Sequence, residues 1–94
     1  MKKGRYIFSF EKLNVWQLSL TFANDIYKIT KSFPVEERYG LTNQLRRASI
    51  SIASNLAEGS SRSNRNDKAR FTQIAFGSLM EVLCQLTIAK IWST

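Results

Sequence analysis

The sequence contains no histidine, one cysteine, one proline and four glycines in 94 residues. Without histidine, Ser-His-Asp and Cys-His catalysis, imidazole metal ligation and a histidine pH switch are excluded. A single thiol, Cys84, cannot form an internal disulfide, which fits a reducing cytosol. No unbroken apolar run approaches the roughly 18 residues of a membrane span. The start, MKKGRYIFSF, lacks the long apolar region and small-residue cleavage site of a secretory signal. These absences lead us to expect a cytoplasmic protein with no membrane association, no metal and no cofactor. There is no repeat, low-complexity tract or long linker either, so one domain over residues 1–94 is expected.

Acidic residues are scarce as well. Seven face 14 lysines and arginines, for a net charge of +7 and a pI near 10.0. This balance favours an anionic partner, nucleic acid over an acidic membrane surface because the apolar residues are committed to helix packing, and says nothing about fold. Hydrophobic residues make up 44% of the chain and aromatics 12%, which sets it apart from a disordered tail.

With so few breakers, three long periodic segments emerge. The first spans about 10–31. Val15, Leu18, Phe22, Ile26 and Ile29 recur at helical steps, and Leu13, Trp16, Leu20, Ala23 and Tyr27 form a second seam. Together the seams cover well over half the circumference, which points to neighbours on both sides, some from another subunit. Pro34 ends the segment, and Glu36 and Glu37 suit a short helical turn after it. The second segment spans about 41–60, with Leu41, Leu45, Ile52 and Leu56 on one face and Ile50, Ala53 and Ala57 on another. After the loop GSSRSNRND, where Ser63, Asn64 or Asn66 suits a helix cap, the third spans about 67–92. Phe71, Ala75, Ser78, Val82, Leu86 and Ala89 follow heptad-like spacing there, with Glu81 and Gln85 beside them. No segment alternates as a strand does. The expected fold is all-α, an antiparallel up-down helical bundle.

The strings FEKLNVWQLSLTFANDIYKITKSFP, ERYGLTNQLRRASISIASNLAEGSSR and FTQIAFGSLMEVLCQL resemble the bacterial four-helix-bundle proteins encoded in intervening sequences of large-subunit ribosomal RNA genes. That family also includes accessory proteins of diversity-generating retroelements. The resemblance covers residues 10–90. It implies an up-down bundle assembled as a homopentamer, with RNA, the ribosome or a reverse transcriptase as partner. Two departures stand out. Relatives usually continue into a fourth helix, whereas this chain stops at Thr94, so that helix is expected to be absent, truncated or supplied by a partner. Many relatives also carry proline where this chain has Ala53, so no proline kink is required here.

Two clusters of residues are candidates for function. Gln44, Ala48, Ser51, Asn55 and Glu58 fall within an arc of about 100° on the second segment, with Arg47 at its edge. Such a stripe reads either as a polar network that fixes helix register and oligomer state, with Glu81 or Gln85 as partners, or as a ligand site. Without histidine or a clear nucleophile, the structural reading is favoured. Glu58 and Glu81 also fall short of a carboxylate metal site, since di-iron bundles add Glu-x-x-His motifs.

The second cluster is Arg62, Arg65, Lys68 and Arg70, offset only by Asp67. It reads either as a solvated turn or as a surface for phosphate backbones, repeated around an oligomer. Lys2, Lys3 and Arg5 would extend it as a basic N-terminal arm over residues 1–9. Arg46 stands apart, open to pairing with an acidic group at an interface, a snorkelling role or a nucleic-acid contact. Cys84 reads as a small core residue, and Trp16 and Trp92 as core or interface anchors. No general acid–base set is visible. The expected function is a non-enzymatic, homo-oligomeric nucleic-acid binder with RNA or an RNA-containing complex as its target; the alternative is a protein–protein accessory module.

Overall fold

Proline and glycine punctuate this chain sparingly, and the helices run between them. The structure, a computed structural model, describes residues 9–93. A 3-10 turn, Ser9–Lys12, leads into helix α1, Asn14–Thr30. The periodic pattern does not separate that turn from the helix, because both carry the same apolar spacing. Phe10 then folds back to meet Trp16 edge-on, with ring centroids 4.9 Å apart. Past Pro34 the chain makes one further 3-10 turn, Val35–Glu37. The Glu37 carboxylate accepts the backbone N–H of Leu41 at 3.3 Å, which satisfies a free amide at the start of the next helix.

Helix α2 spans Leu41–Ser60, and helix α3 spans Arg65–Ser93. All three helices are antiparallel to their neighbours. Along α2 and α3, Gln44 meets Gln85, Ser51 meets Ser78 and Gly59 meets Phe71, so one helix runs up as the other runs down. The described residues form an all-α, three-helix bundle with no strand.

Helix α2 sits in the middle and packs against both others. No Cα atom of α1 comes within 8 Å of one in α3. The molecule is therefore an open layer of helices, 45 × 33 × 18 Å. Its radius of gyration is 15.0 Å, against about 12 Å for a compact chain of this length.

The core follows from this arrangement. Leu45 and Val82 are fully enclosed, and Ile26, Ile52, Ala48 and Ala75 complete a buried cluster flanked by Phe22, Leu56, Leu79 and Leu86. Small and hydroxyl-bearing residues line the α1–α2 contact. Ser19, Thr30, Ser49 and Ala53 are all buried. Their hydroxyls bond carbonyls on their own helices, as in Thr30 to Ile26 at 2.7 Å and Ser49 to Arg46 at 2.9 Å, so close approach leaves those donors satisfied.

Arg46 locks this contact. Its Nε donates to Thr30 Oγ1 at 2.8 Å, and an Nη donates to the Tyr27 carbonyl at 3.4 Å. Its guanidinium lies 4.5 Å from the Tyr27 ring centre. A cation is favoured at the C-terminal end of α1, where carbonyls lack helical partners. The sequence leaves Arg46 open to an acidic partner at an interface, a snorkelling role or a nucleic-acid contact; its contacts here are instead a hydroxyl, a carbonyl and a ring across the α1–α2 packing.

One expectation needs correction. Cys84 is exposed, not a core residue. It lies two positions past Val82, which is about 200° around the helix and so on the side away from α2. In addition, α3 is long and apolar enough, by length and composition, to cross a membrane, with a mean hydropathy of 1.5 over its most apolar window. Counting unbroken runs overlooks this, because single polar residues interrupt a run without lowering the mean far. Composition alone does not make α3 a span, since Phe71, Ala75, Ser78, Val82 and Gln85 commit one edge of it to burial within the layer.

Candidate nucleic-acid interface

The α2–α3 turn is built by close approach. Gly59 is buried against α3, and a Cβ there would sit 2.9 Å from the Phe71 Cβ. Only glycine lets the two backbones come this near. Serine hydroxyls then close the end of α2, with Ser60 donating to the Ala57 carbonyl and Ser61 to that of Glu58, both at 2.7 Å. Asn64 starts α3: its Oδ1 accepts the N–H of Asn66 at 2.7 Å and of Asp67 at 3.2 Å. This N-cap explains why α3 begins at Arg65, two residues before the helix boundary that the periodicity marks.

Every residue from Ser61 to Arg70 is exposed. Arg62, Arg65, Lys68 and Arg70 therefore share one solvent-facing turn with a single acidic residue, Asp67. Arg65 and Lys68 lie in the opening turn of α3, the positive end of the helix dipole. Cations there oppose the dipole, at a cost of about 0.3–1 kcal/mol each. Helix stability alone does not account for their placement, whereas an incoming anion would meet both the side chains and the dipole.

Arg62 has a different setting. It pairs with Glu58 at 3.1 Å, and both side chains are about half exposed. Its guanidinium also lies 4.9 Å from the centre of the Phe71 ring, and that of Arg70 lies 5.4 Å from the same point. Sequence spacing gave no sign of this convergence, because the two arginines lie on opposite sides of a turn. Lys2, Lys3 and Arg5 fall outside the described residues.

The polar stripe divides into separate contacts. Asn55 donates to the Ser51 carbonyl at 2.8 Å and to its hydroxyl at 3.0 Å. Ser51 in turn meets Ser78 of α3 at 3.0 Å. Gln44, which is exposed, accepts from the buried Gln85 at 3.2 Å. Gln85 lies within the α2–α3 seam, and its Oε1 is buried with no partner among the described residues. Flipping both amides preserves the single bond and orphans the nitrogen instead. Arg47 and Glu81 are exposed and line one shallow groove with Gln44, Ser51 and Ser78. Glu58 does not join the stripe; its carboxylate bonds Arg62. Among the described residues no cluster of histidine, cysteine, aspartate and glutamate could hold a metal.

The same features can be set beside known proteins. No curated protein matches the chain. A family model described as "23S rRNA-intervening sequence protein" matches residues 11–93, covering all three helices and the basic turn. The chain belongs to the family of 23S rRNA-intervening sequence proteins.

Proposed function

We propose that this protein is a non-enzymatic, cytoplasmic, homo-oligomeric bundle that binds nucleic acid through the phosphate backbone, with RNA or an RNA-containing complex as its target. The observation that carries this reading is the run of exposed residues 61–70, in which four cations face solvent with one acid. The net charge of +7 supports it. Contacts of this kind position a protein on a phosphate chain without reading bases. The finer family likeness, to four-helix pentamers and to accessory proteins of retroelements, belongs to this proposal too. A ring would repeat the basic turn and multiply its counterion release.

Charge reversal tests the site. Arg62, Arg65, Lys68 and Arg70 changed together to glutamate should weaken binding of a structured RNA by at least about a hundredfold at low salt. The loss should be similar for every RNA sequence tried. Unchanged affinity would place the binding surface elsewhere.

A second reading has its own observation. Leu18, Phe76, Ile91 and Trp92 are each more than 60% exposed. Apolar surface of that kind favours a protein partner, such as a reverse transcriptase or the ribosome, with the positive charge aiding encounter. Purified protein that fails to bind RNA or DNA even at low salt would favour this alternative.

A further inference from the structure

Phe71 is buried, yet two arginines from different parts of the chain converge on its ring. Arg62 follows the end of α2, and Arg70 belongs to α3. Two like charges drawn to one point repel, so something must hold them there. The ring face attracts each cation. Glu58 adds the opposite charge, accepting from one Arg62 Nη at 3.1 Å. Gly59 lets Phe71 reach this place at all.

We infer that Arg62 and Arg70 form a paired phosphate clamp seated on Phe71, with Glu58 as the internal anion that occupies it when no nucleic acid is bound. This rests on the phosphate-backbone reading above and deepens it. Arginine carries five N–H donors in a planar fork, and Glu58 engages Arg62 through a single nitrogen. The rest of that fork stays open. Arg70 has no carboxylate partner within salt-bridge distance among the described residues. A phosphate group presents several acceptor oxygens and suits two such forks at once. Arg65 and Lys68 have no ring beneath them among the described residues and serve as surrounding charge. Binding energy is therefore concentrated in the stacked pair rather than spread evenly over the four cations.

The role of Glu58 follows from its position. It lies in the last turn of α2, where a carboxylate opposes the helix dipole, and it competes with the incoming phosphate for Arg62. Removing its charge should strengthen binding, mainly through Arg62. A residue that merely held the turn together would act in the opposite direction.

The test uses a short labelled single-stranded RNA of mixed sequence, titrated at several salt concentrations. The double variant Arg62→Lys with Arg70→Lys keeps every charge but loses the planar forks. The clamp predicts roughly tenfold weaker binding. Phe71→Leu keeps the charges and most of the apolar volume but removes the ring, and should weaken binding about threefold. Glu58→Gln should tighten it about threefold, and in the presence of Arg62→Gln that gain should shrink to the effect of a single charge. Circular dichroism melts identify any variant that has lost its fold. Arg38→Gln, in the α1–α2 connection at the far end of α2, sets the effect of losing one charge anywhere. If the wild type binds and the double lysine variant binds equally well, the clamp is wrong while the phosphate-backbone reading stands. If the wild type does not bind RNA at any salt concentration, both fall.

Discussion

Gly59 and Gly77 lie on facing helices, and their surroundings differ completely. A Cβ at Gly59 would meet the Phe71 Cβ at 2.9 Å, while one at Gly77 would find nothing within 4 Å. Both positions are helical, so alanine gains up to about 1 kcal/mol of helix propensity at either. At Gly77 nothing opposes that gain. Gly77→Ala should raise stability by about 0.5–1 kcal/mol. At Gly59 the helices must part, and overpacking typically costs about 1–3 kcal/mol. Gly59→Ala should therefore lower stability despite the better propensity. Urea unfolding of the two variants gives the comparison, and equal shifts would mean that the α2–α3 contact yields easily. In the sequence Gly59 reads only as the start of the serine-rich loop. Nothing local shows the close approach to Phe71, because the residue that needs the space lies twelve positions away.

At the scale of elements, legibility depended on how one-sided each helix is. Helix α2 is bounded by Gly40 and the serine-rich loop, carries Leu41, Leu45, Ile52 and Leu56 on one face, and its limits can be read directly from those signals. Helix α3 has apolar residues on every side. A pattern without a preferred face cannot fix which side is buried, so periodicity puts Cys84 in the core and Gln85 beside the seam, whereas Cys84 is exposed and Gln85 lies within the seam. The contacts of Arg46 with Thr30 and Tyr27 were hidden for another reason: they join residues 16 and 19 positions apart, beyond any local spacing.

Gln85 is a weak point of the α2–α3 seam, since its Oε1 is buried without a partner among the described residues. A buried carbonyl oxygen without a donor costs about 1–3 kcal/mol. Methionine has a similar length, fills the seam and needs no partner. Gln85→Met forfeits the bond to the exposed Gln44, which is worth less than the relief of the orphan. A net gain near 1 kcal/mol should raise the melting midpoint by about 4–8 °C for a domain of this size. A lower midpoint would mean that a bound water serves Oε1 in solution.

The whole molecule is an open layer, and this decides how its apolar surface must be read. Of the first helix's two seams, only the strip facing α2 is buried; Val15, Leu18, Leu20 and Ile29 are exposed. On α3, Phe76, Met80, Leu83 and Ile91 are exposed as well. Phe76, Met80 and Leu83 recur at helical steps along one face of α3, and a monomer rarely leaves such an apolar row in water. The two apolar seams of the first segment imply neighbours on both sides, and among the described α-helices α1 packs against α2 alone. If further copies cover the open surface, a charge placed there should dissolve the assembly and spare the fold. Leu18 and Phe76 are suited to this, at 68% and 61% exposed on separate helices. The double variant Leu18→Glu with Phe76→Glu should keep its helical circular dichroism, since neither side chain supports the core. Its sedimentation coefficient should fall to that of a single chain, while the wild type sediments as an oligomer at the same concentration. A buried glutamate in each interface would carry a desolvation cost of several kcal/mol, enough to outweigh the hydrophobic gain at that site. A wild type that sediments as a folded monomer at micromolar concentration would remove the ring, and with it the repetition that makes the basic turn an extended surface. The RNA affinity would then have to come from one copy of the turn alone, and its salt dependence would be correspondingly shallow.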